Sequence, residues 1–186
     1  MEAFLVSTGI VALAEMGDKT QLLSLVLAAR FRRPWPIVLG IFVATLVNHA
    51  LAGAVGAWIT GFVGPDLLRW ILGLSFIAMA GWTLVPDKLD DDGSASATPR
   101  LGVFVTTVIA FFLAEMGDKT QIATGMLAAR YNAWAWVVLG TTLGMMLANA
   151  PVVWLGERIT RVVPLRAVHV VAALIFLVIG VLALLA

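Results

Sequence analysis

Leu13-Ala14-Glu15-Met16-Gly17-Asp18-Lys19-Thr20-Gln21 returns, unchanged at all nine positions, as Leu113-Ala114-Glu115-Met116-Gly117-Asp118-Lys119-Thr120-Gln121. The offset is 100 residues, and after a divergent gap the match resumes as Leu27-Ala28-Ala29-Arg30 against Leu127-Ala128-Ala129-Arg130. Both copies sit inside otherwise apolar runs. Two carboxylates and a lysine are costly to insert into such a run, so a chain that does so twice has a use for them.

The composition around the repeat says what solvent the chain meets. Of 186 residues 61% are hydrophobic and 12% charged, and the mean hydropathy is +1.01. Soluble domains are closer to about half apolar and about a quarter charged. So little polar surface cannot cover a soluble chain of this size, and the partner it implies is the lipid bilayer. A net charge of +1 gives no case for a nucleic-acid partner, and the absence of cysteine excludes disulfides and thiolate metal sites. The first apolar run opens on Met1-Glu2-Ala3-Phe4, without a basic leader, and continues into Glu15 without a cleavage pattern. It is expected to be a mature membrane helix rather than a signal peptide.

A spanning helix needs about 20 mostly apolar residues. Six segments qualify, at 3–29, 36–62, 67–86, 101–129, 134–157 and 164–186. Pro34 and Pro36, Gly64-Pro65-Asp66, Pro86, Asn132, and the stretch from Arg161 to Pro164 punctuate them. Residues 87–100, acidic and then small and polar, read as a linker. No strands are expected, because lipid admits only helices or closed barrels and the apolar runs have helical length. The expected fold is an all-α integral membrane protein with six transmembrane helices. Its halves are residues 1–86 and 101–186, three helices each. An odd number of crossings per half makes the second motif enter the membrane from the side opposite to the first, so the halves form an inverted repeat. The two motifs can then meet near the midplane.

Basic residues set the orientation. Arg30, Arg32, Arg33, Lys88, Arg100, Arg158, Arg161 and Arg166 fall on one side, and only Arg69 and Arg130 on the other. This predicts a multi-pass protein with a cytoplasmic linker and both termini non-cytoplasmic. Trp35, Trp58, Trp70, Trp82, Trp134 and Trp136 lie near predicted helix ends and read as interfacial anchors.

Read as a helix, the motif places Glu15 and Asp18, and equally Glu115 and Asp118, on nearly one face. Hard divalent cations take oxygen ligands, so these four carboxylates are the candidate metal ligands. Thr20, Gln21, Thr120 and Gln121 can add oxygens. Gly17 and Gly117 permit either close helix approach or a local break that frees carbonyls. Four carboxylates and the two lysines, Lys19 and Lys119, leave a charge of −2, which one divalent cation or two protons would cancel. Like charges oppose joint ionisation, so such a cluster can trade protons for metal. The alternative is a purely structural ion pair at i, i+4, Glu15 with Lys19 and Glu115 with Lys119. That pairing leaves Asp18 and Asp118 without a local partner.

Other polar groups fall mid-span. Asn48 and His49 lie in the second segment, and Asn149 in the fifth is the counterpart of His49. These are candidates for ligation or proton coupling, against the plainer reading of satisfied hydrogen bonding. Pro151 frees the carbonyl of Leu147. Met16 and Met116 read as apolar packing, Thr45, Thr141 and Thr142 as weaker candidates, and Gly40, Gly53, Gly56, Gly140 and Gly144 as close-packing positions.

The duplicated Glu15-Met16-Gly17-Asp18-Lys19-Thr20 and Glu115 to Thr120 resemble the signature of the UPF0016 (Gdt1) family, Glu-x-Gly-Asp-(Lys/Arg)-(Thr/Ser), which occurs once in each of two three-helix halves. The resemblance covers essentially the whole chain. It implies a cation/proton exchanger for Mn²⁺, Ca²⁺ or both. Glu15, Asp18, Glu115 and Asp118 would be the core of its site, with Thr20 and Thr120 part of the motif. The compact chain resembles a bacterial member, which implies a place in the cell inner (plasma) membrane and export of Mn²⁺ from the cytoplasm. The ion is cargo, and no cofactor is implied. With no nucleophile–base pair and no nucleotide motif, an enzyme is not expected. A cation channel and an exporter of small organic cations are the alternative readings. A homo-oligomer is neither specified nor excluded by the sequence.

Overall fold

The computed structural model describes residues 1–85, 102–156 and 165–185. The expected linker at 87–100 lies outside them, as do Lys88, Arg100, Arg158 and Arg161 of the charge comparison. Among the described residues there are eight helices and no strand. They are α1 (Glu2–Glu15), α2 (Lys19–Phe31), α3 (Pro34–Ile59), α4 (Pro65–Thr83), α5 (Gly102–Glu115), α6 (Lys119–Tyr131), α7 (Trp134–Leu155) and α8 (Leu165–Leu185).

Local chemistry sets the ends. α3 and α4 open with proline in the first turn, where a missing N–H does no harm. α2 and α6 stop alike, at Arg32 (φ 51°) and Asn132 (φ 47°), whose N–H groups bond the carbonyls of Ala28 and Ala128. α7 runs through Pro151 without a break in its assignment.

Three helices are long and apolar enough to cross a membrane: Pro34–Ile59, Trp134–Leu155 and Arg166–Leu185. The structure corrects the first and fourth expected spans. Segments 3–29 and 101–129 are not continuous helices, because each is cut at its motif into pieces of 14 and 13 residues. At 1.5 Å per residue such a piece is about 20 Å long, short of the roughly 30 Å hydrocarbon core.

The packing repeats between halves. α1 lies along α7 as α5 lies along α3, and α4 pairs with α8. Gly140 and Gly144 allow the first contact: a Cβ on them would stand 2.5 Å from the Phe4 carbonyl oxygen and 2.6 Å from that of Thr8. In the α4–α8 pair, Phe76 stacks on Phe176, the residue 100 positions on, with centroids 6.2 Å apart. Two apolar clusters flank the middle of the molecule. One joins Ile10, Leu72, Phe76, Leu127 and Phe176, and the other Leu23, Ile37, Ile41, Phe111 and Val153.

The outside is as apolar as the interior. Leu39, Leu51, Val55, Leu74, Leu174, Val178 and Leu182 point outward, and Trp35, Trp58, Trp70 and Trp136 are each more than half exposed. Glu15, Asp18, Lys119, His49 and Asn149 are buried. Water would penalise that surface, whereas lipid accommodates it.

Candidate functional site

The motif is a helix, a tight turn and a second helix. Glu15 ends α1, and its carbonyl accepts from the Asp18 N–H at 3.1 Å. Between them Met16 is extended (φ −66°, ψ 115°) and Gly17 has φ +84°. This is a type II turn, whose third residue requires positive φ and hence glycine. Gly117 has φ +74°, and Asp118 N–H bonds the Glu115 carbonyl at 3.1 Å. Asp18 and Asp118 are then the N-cap residues of α2 and α6. Gln21 and Gln121 reach back, their Oε1 atoms accepting from Gly17 N–H at 3.0 Å and Gly117 N–H at 2.8 Å. Those oxygens, candidate ligands in the sequence, close the turns here.

The break overturns two helical expectations. Glu15 and Asp18 do not share a helix face, and the i, i+4 pairing of glutamate with lysine does not form. The lysines cross between the motifs instead. Lys119 Nζ lies 2.9 Å from Asp18 Oδ1, and Lys19 Nζ lies 3.1 Å from Asp118 Oδ1. The first pair is buried, while the Lys19 side chain keeps 28% of its surface.

The turns bring carboxylates of both motifs together. Glu15, Asp18 and Asp118 each place an oxygen within 4.8 Å of the others, and all three are buried. Two oxygens on opposite sides of a Ca²⁺ stand about 4.6–5.2 Å apart, and closer for a smaller ion, so this triplet can converge on one divalent cation. Thr20 Oγ1 donates to Glu15 Oε2 at 2.5 Å, and Thr120 Oγ1 to Asp118 Oδ2 at 3.1 Å. Glu115 is not in the triplet. Thr45 of α3 donates to its Oε1 at 2.9 Å, and the Asn48 side-chain amide lies beside it. One oxygen each of Glu15 and Glu115 is buried without a hydrogen-bond partner among the described residues, a donor set open to a cation or a proton.

The remaining candidates are less directly placed. Asn48 Nδ2 donates to the Phe112 carbonyl at 3.1 Å. Asn149 accepts from Ser24 Oγ at 2.8 Å and donates to the Met145 carbonyl at 3.2 Å. His49 is buried, with neither ring nitrogen bonded among the described residues. Thr141 donates to the Val138 carbonyl at 3.2 Å, and Thr142 is buried with its hydroxyl unbonded among the described residues. A cavity of about 510 Å³ between α3, α4 and α6 reaches Asn48 and Gln121, but Leu51, Val55, Ile71 and Met126 make it apolar, unsuited to a hydrated cation.

Sequence reasoning missed two partners. The crossed lysines needed the turn, which the sequence offered only as one use of its glycines. His169 of α8 has Nε2 2.6 Å from the Met16 carbonyl oxygen and carries no motif signal at all.

The family profile described as "Divalent cation/proton antiporter GDT1" matches residues 3–91 and 103–186. The chain belongs to the GDT1 family. As a GDT1 member it is a membrane transporter and not an enzyme. Curated relatives agree. A Vibrio cholerae protein described as a "Putative manganese exporter" is 53% identical over 178 residues, 95% of this chain and 88% of that one. The "GDT1-like protein sll0615" of Synechocystis is 28% identical, covering 95% of this chain and 93% of its own length. "GDT1-like protein 3" of Oryza sativa is 26% identical, covering 95% and 71%. No solved structure matches the chain.

Proposed function

We propose that this chain exports Mn²⁺ from the cytoplasm in exchange for protons, through one site built by both motifs. The observation that carries the reading is the buried triplet of Glu15, Asp18 and Asp118, drawn from both halves within 4.8 Å. Glu115 is the fourth acid of the site, and Thr20 and Thr120 orient its carboxylates. The 53% identity to a relative described as a manganese exporter supports the choice of ion. Oxygen ligands at this spacing serve Ca²⁺ as well, so selectivity is read by competing Ca²⁺ against Mn²⁺.

The architecture proposed with it is six crossings in two inverted repeats, 1–86 and 101–186, with the 87–100 linker cytoplasmic and both termini outside the plasma membrane. α1 with α2, and α5 with α6, each make one crossing interrupted at its middle. That form is favoured where a discontinuous helix lines an ion site. The lysines hold two of the four carboxylates in the absence of cargo. The remaining charge of −2 is met by the cation on one leg of the cycle and by protons on the other.

Alternating access has a physical basis in the unequal halves. α6 is pressed onto α3 so closely that a Cβ on Gly56 would overlap the Gly125 carbonyl oxygen. The counterpart positions are Gly156 and Leu25, and there the Leu25 Cδ1 atom is 4.0 Å from a Cβ on Gly156. Lys119, on the tightly packed side, is buried, and Lys19, on the other, is partly exposed. These features support a state closed toward the ends of α3 and α6 and open toward Arg30–Arg33, the cytoplasmic side.

The test is purified protein in liposomes with an imposed pH gradient, following Mn²⁺ and internal pH together. Proton movement opposite to Mn²⁺ is the expected result. Mn²⁺ flux with no proton counter-movement would indicate a channel, and displacement of Mn²⁺ by organic cations an organic-cation exporter.

A further inference from the structure

The type II turn at the first motif has one soft coordinate. The Met16–Gly17 peptide sits between residues i+1 and i+2, and type I and type II turns differ mainly by a flip of that peptide. Glu15 and Asp18 are the residues on either side, and both belong to the carboxylate triplet. A bond to this peptide anchors the turn as a whole, and with it the ground from which the two acids reach the site. Met16 is extended, so its carbonyl leaves the line of the α1 helical ladder. It meets His169 Nε2 at 2.6 Å. A carbonyl oxygen only accepts, so Nε2 carries the hydrogen and donates.

His169 lies on α8, whose chief partner is α4. The bond therefore ties the first turn to a helix pair that contributes no carboxylate to the site. The second turn is not clamped by the equivalent residue. Position 69 holds Arg69, whose side chain lines a separate cavity with Arg130 and Tyr131. Met116 is 57% exposed, whereas Met16 is partly buried.

We propose that His169 is a positioning residue for the cation site, holding the Met16 carbonyl so that the turn aims Glu15 and Asp18 at the ion. The inference rests on the reading of those carboxylates as cation ligands. It places His169 beside the site without making it a ligand. Loss of the donor releases the turn from α8 and lets it shift, which weakens cation capture more than it slows the cycle.

The experiment is Mn²⁺/proton exchange by the full chain in liposomes, comparing His169→Leu, His169→Gln and Glu15→Gln. His169→Leu is expected to raise the KM for Mn²⁺ about tenfold, with kcat within about twofold of the parent. His169→Gln keeps a side-chain N–H donor and is expected to recover most of the affinity. A parental KM in the leucine variant, or equal damage in the glutamine variant, overturns the proposal. If Glu15→Gln is inactive while His169→Leu behaves as the parent, this inference alone falls. If Glu15→Gln exchanges normally, the cation-site reading falls and takes the inference with it. A measurement on the parent protein covers variants that do not fold. Imidazole ¹⁵N NMR should show the Nε2–H tautomer at His169, and the Nδ1–H tautomer there contradicts the bond.

Discussion

Lys119 of the second motif holds Asp18 of the first, Nζ to Oδ1 at 2.9 Å, with both side chains buried. Removing one partner of a buried pair leaves an uncompensated charge, a loss of about 3–5 kcal/mol, whereas replacing both by neutral groups is far milder. Lys119→Met should therefore lower the unfolding midpoint in detergent sharply, and Asp18→Asn with Lys119→Met should regain most of it. Exchange should be absent in the double variant, which lacks Asp18, a proposed cation ligand. Lys19→Met, at the partly exposed pair, should cost less stability. Equal stability of the two lysine variants would contradict the burial difference.

Backbone geometry calls for both motif glycines, and at Gly117 space does not. Gly17 and Gly117 have φ of +84° and +74°, and a Cβ on Gly117 would meet nothing within 4 Å. Gly117→Ala should destabilise by about 1–3 kcal/mol and lower exchange. Gly117→Asn should do less harm, since asparagine tolerates the left-handed region. Alanine behaving as well as asparagine in denaturant titrations would argue against the turn.

Asymmetry between the halves offers a direct handle on the proposed alternating access. Gly125→Leu places on α6 the side chain that α2 carries at Leu25, where α3 leaves no room for it. It should open the outer half, so that a single cysteine introduced at Ala52 becomes reactive to a membrane-impermeant thiol reagent added outside. The same cysteine in the parent background should be protected. Equal labelling in both backgrounds would remove the seal from the account.

Much of this was legible in residues alone. The exact repeat at an offset of 100, the two acids of each motif and the helical medium all follow from sequence. The interruption was only half legible. Helical periodicity runs through Glu15-Met16-Gly17-Asp18 without a proline to stop it, and the glycine signals a turn only once its φ is known. With the helix broken, i, i+4 spacing no longer governs Lys19, and the crossed pairing becomes available only because the two turns face each other. Gln21 and Gln121 read as possible ligands because hard cations take oxygen donors, and the sequence did not show that the same oxygens accept from the N–H of the turn glycines. His169 was illegible for a different reason: its contact with Met16 joins residues 153 positions apart and belongs to no repeat.

The central claim, that acids from both motifs hold one cation, is tested most directly by Mn²⁺ binding to the purified protein. The loss of the free-ion electron paramagnetic resonance signal gives affinity and stoichiometry. The parent should bind a single Mn²⁺ per chain. Glu15→Gln in the first motif and Asp118→Asn in the second should each weaken that binding by at least about tenfold, with the fold intact by circular dichroism. Parental affinity in either variant, or two sites of which each variant removes only its own, would contradict a shared site.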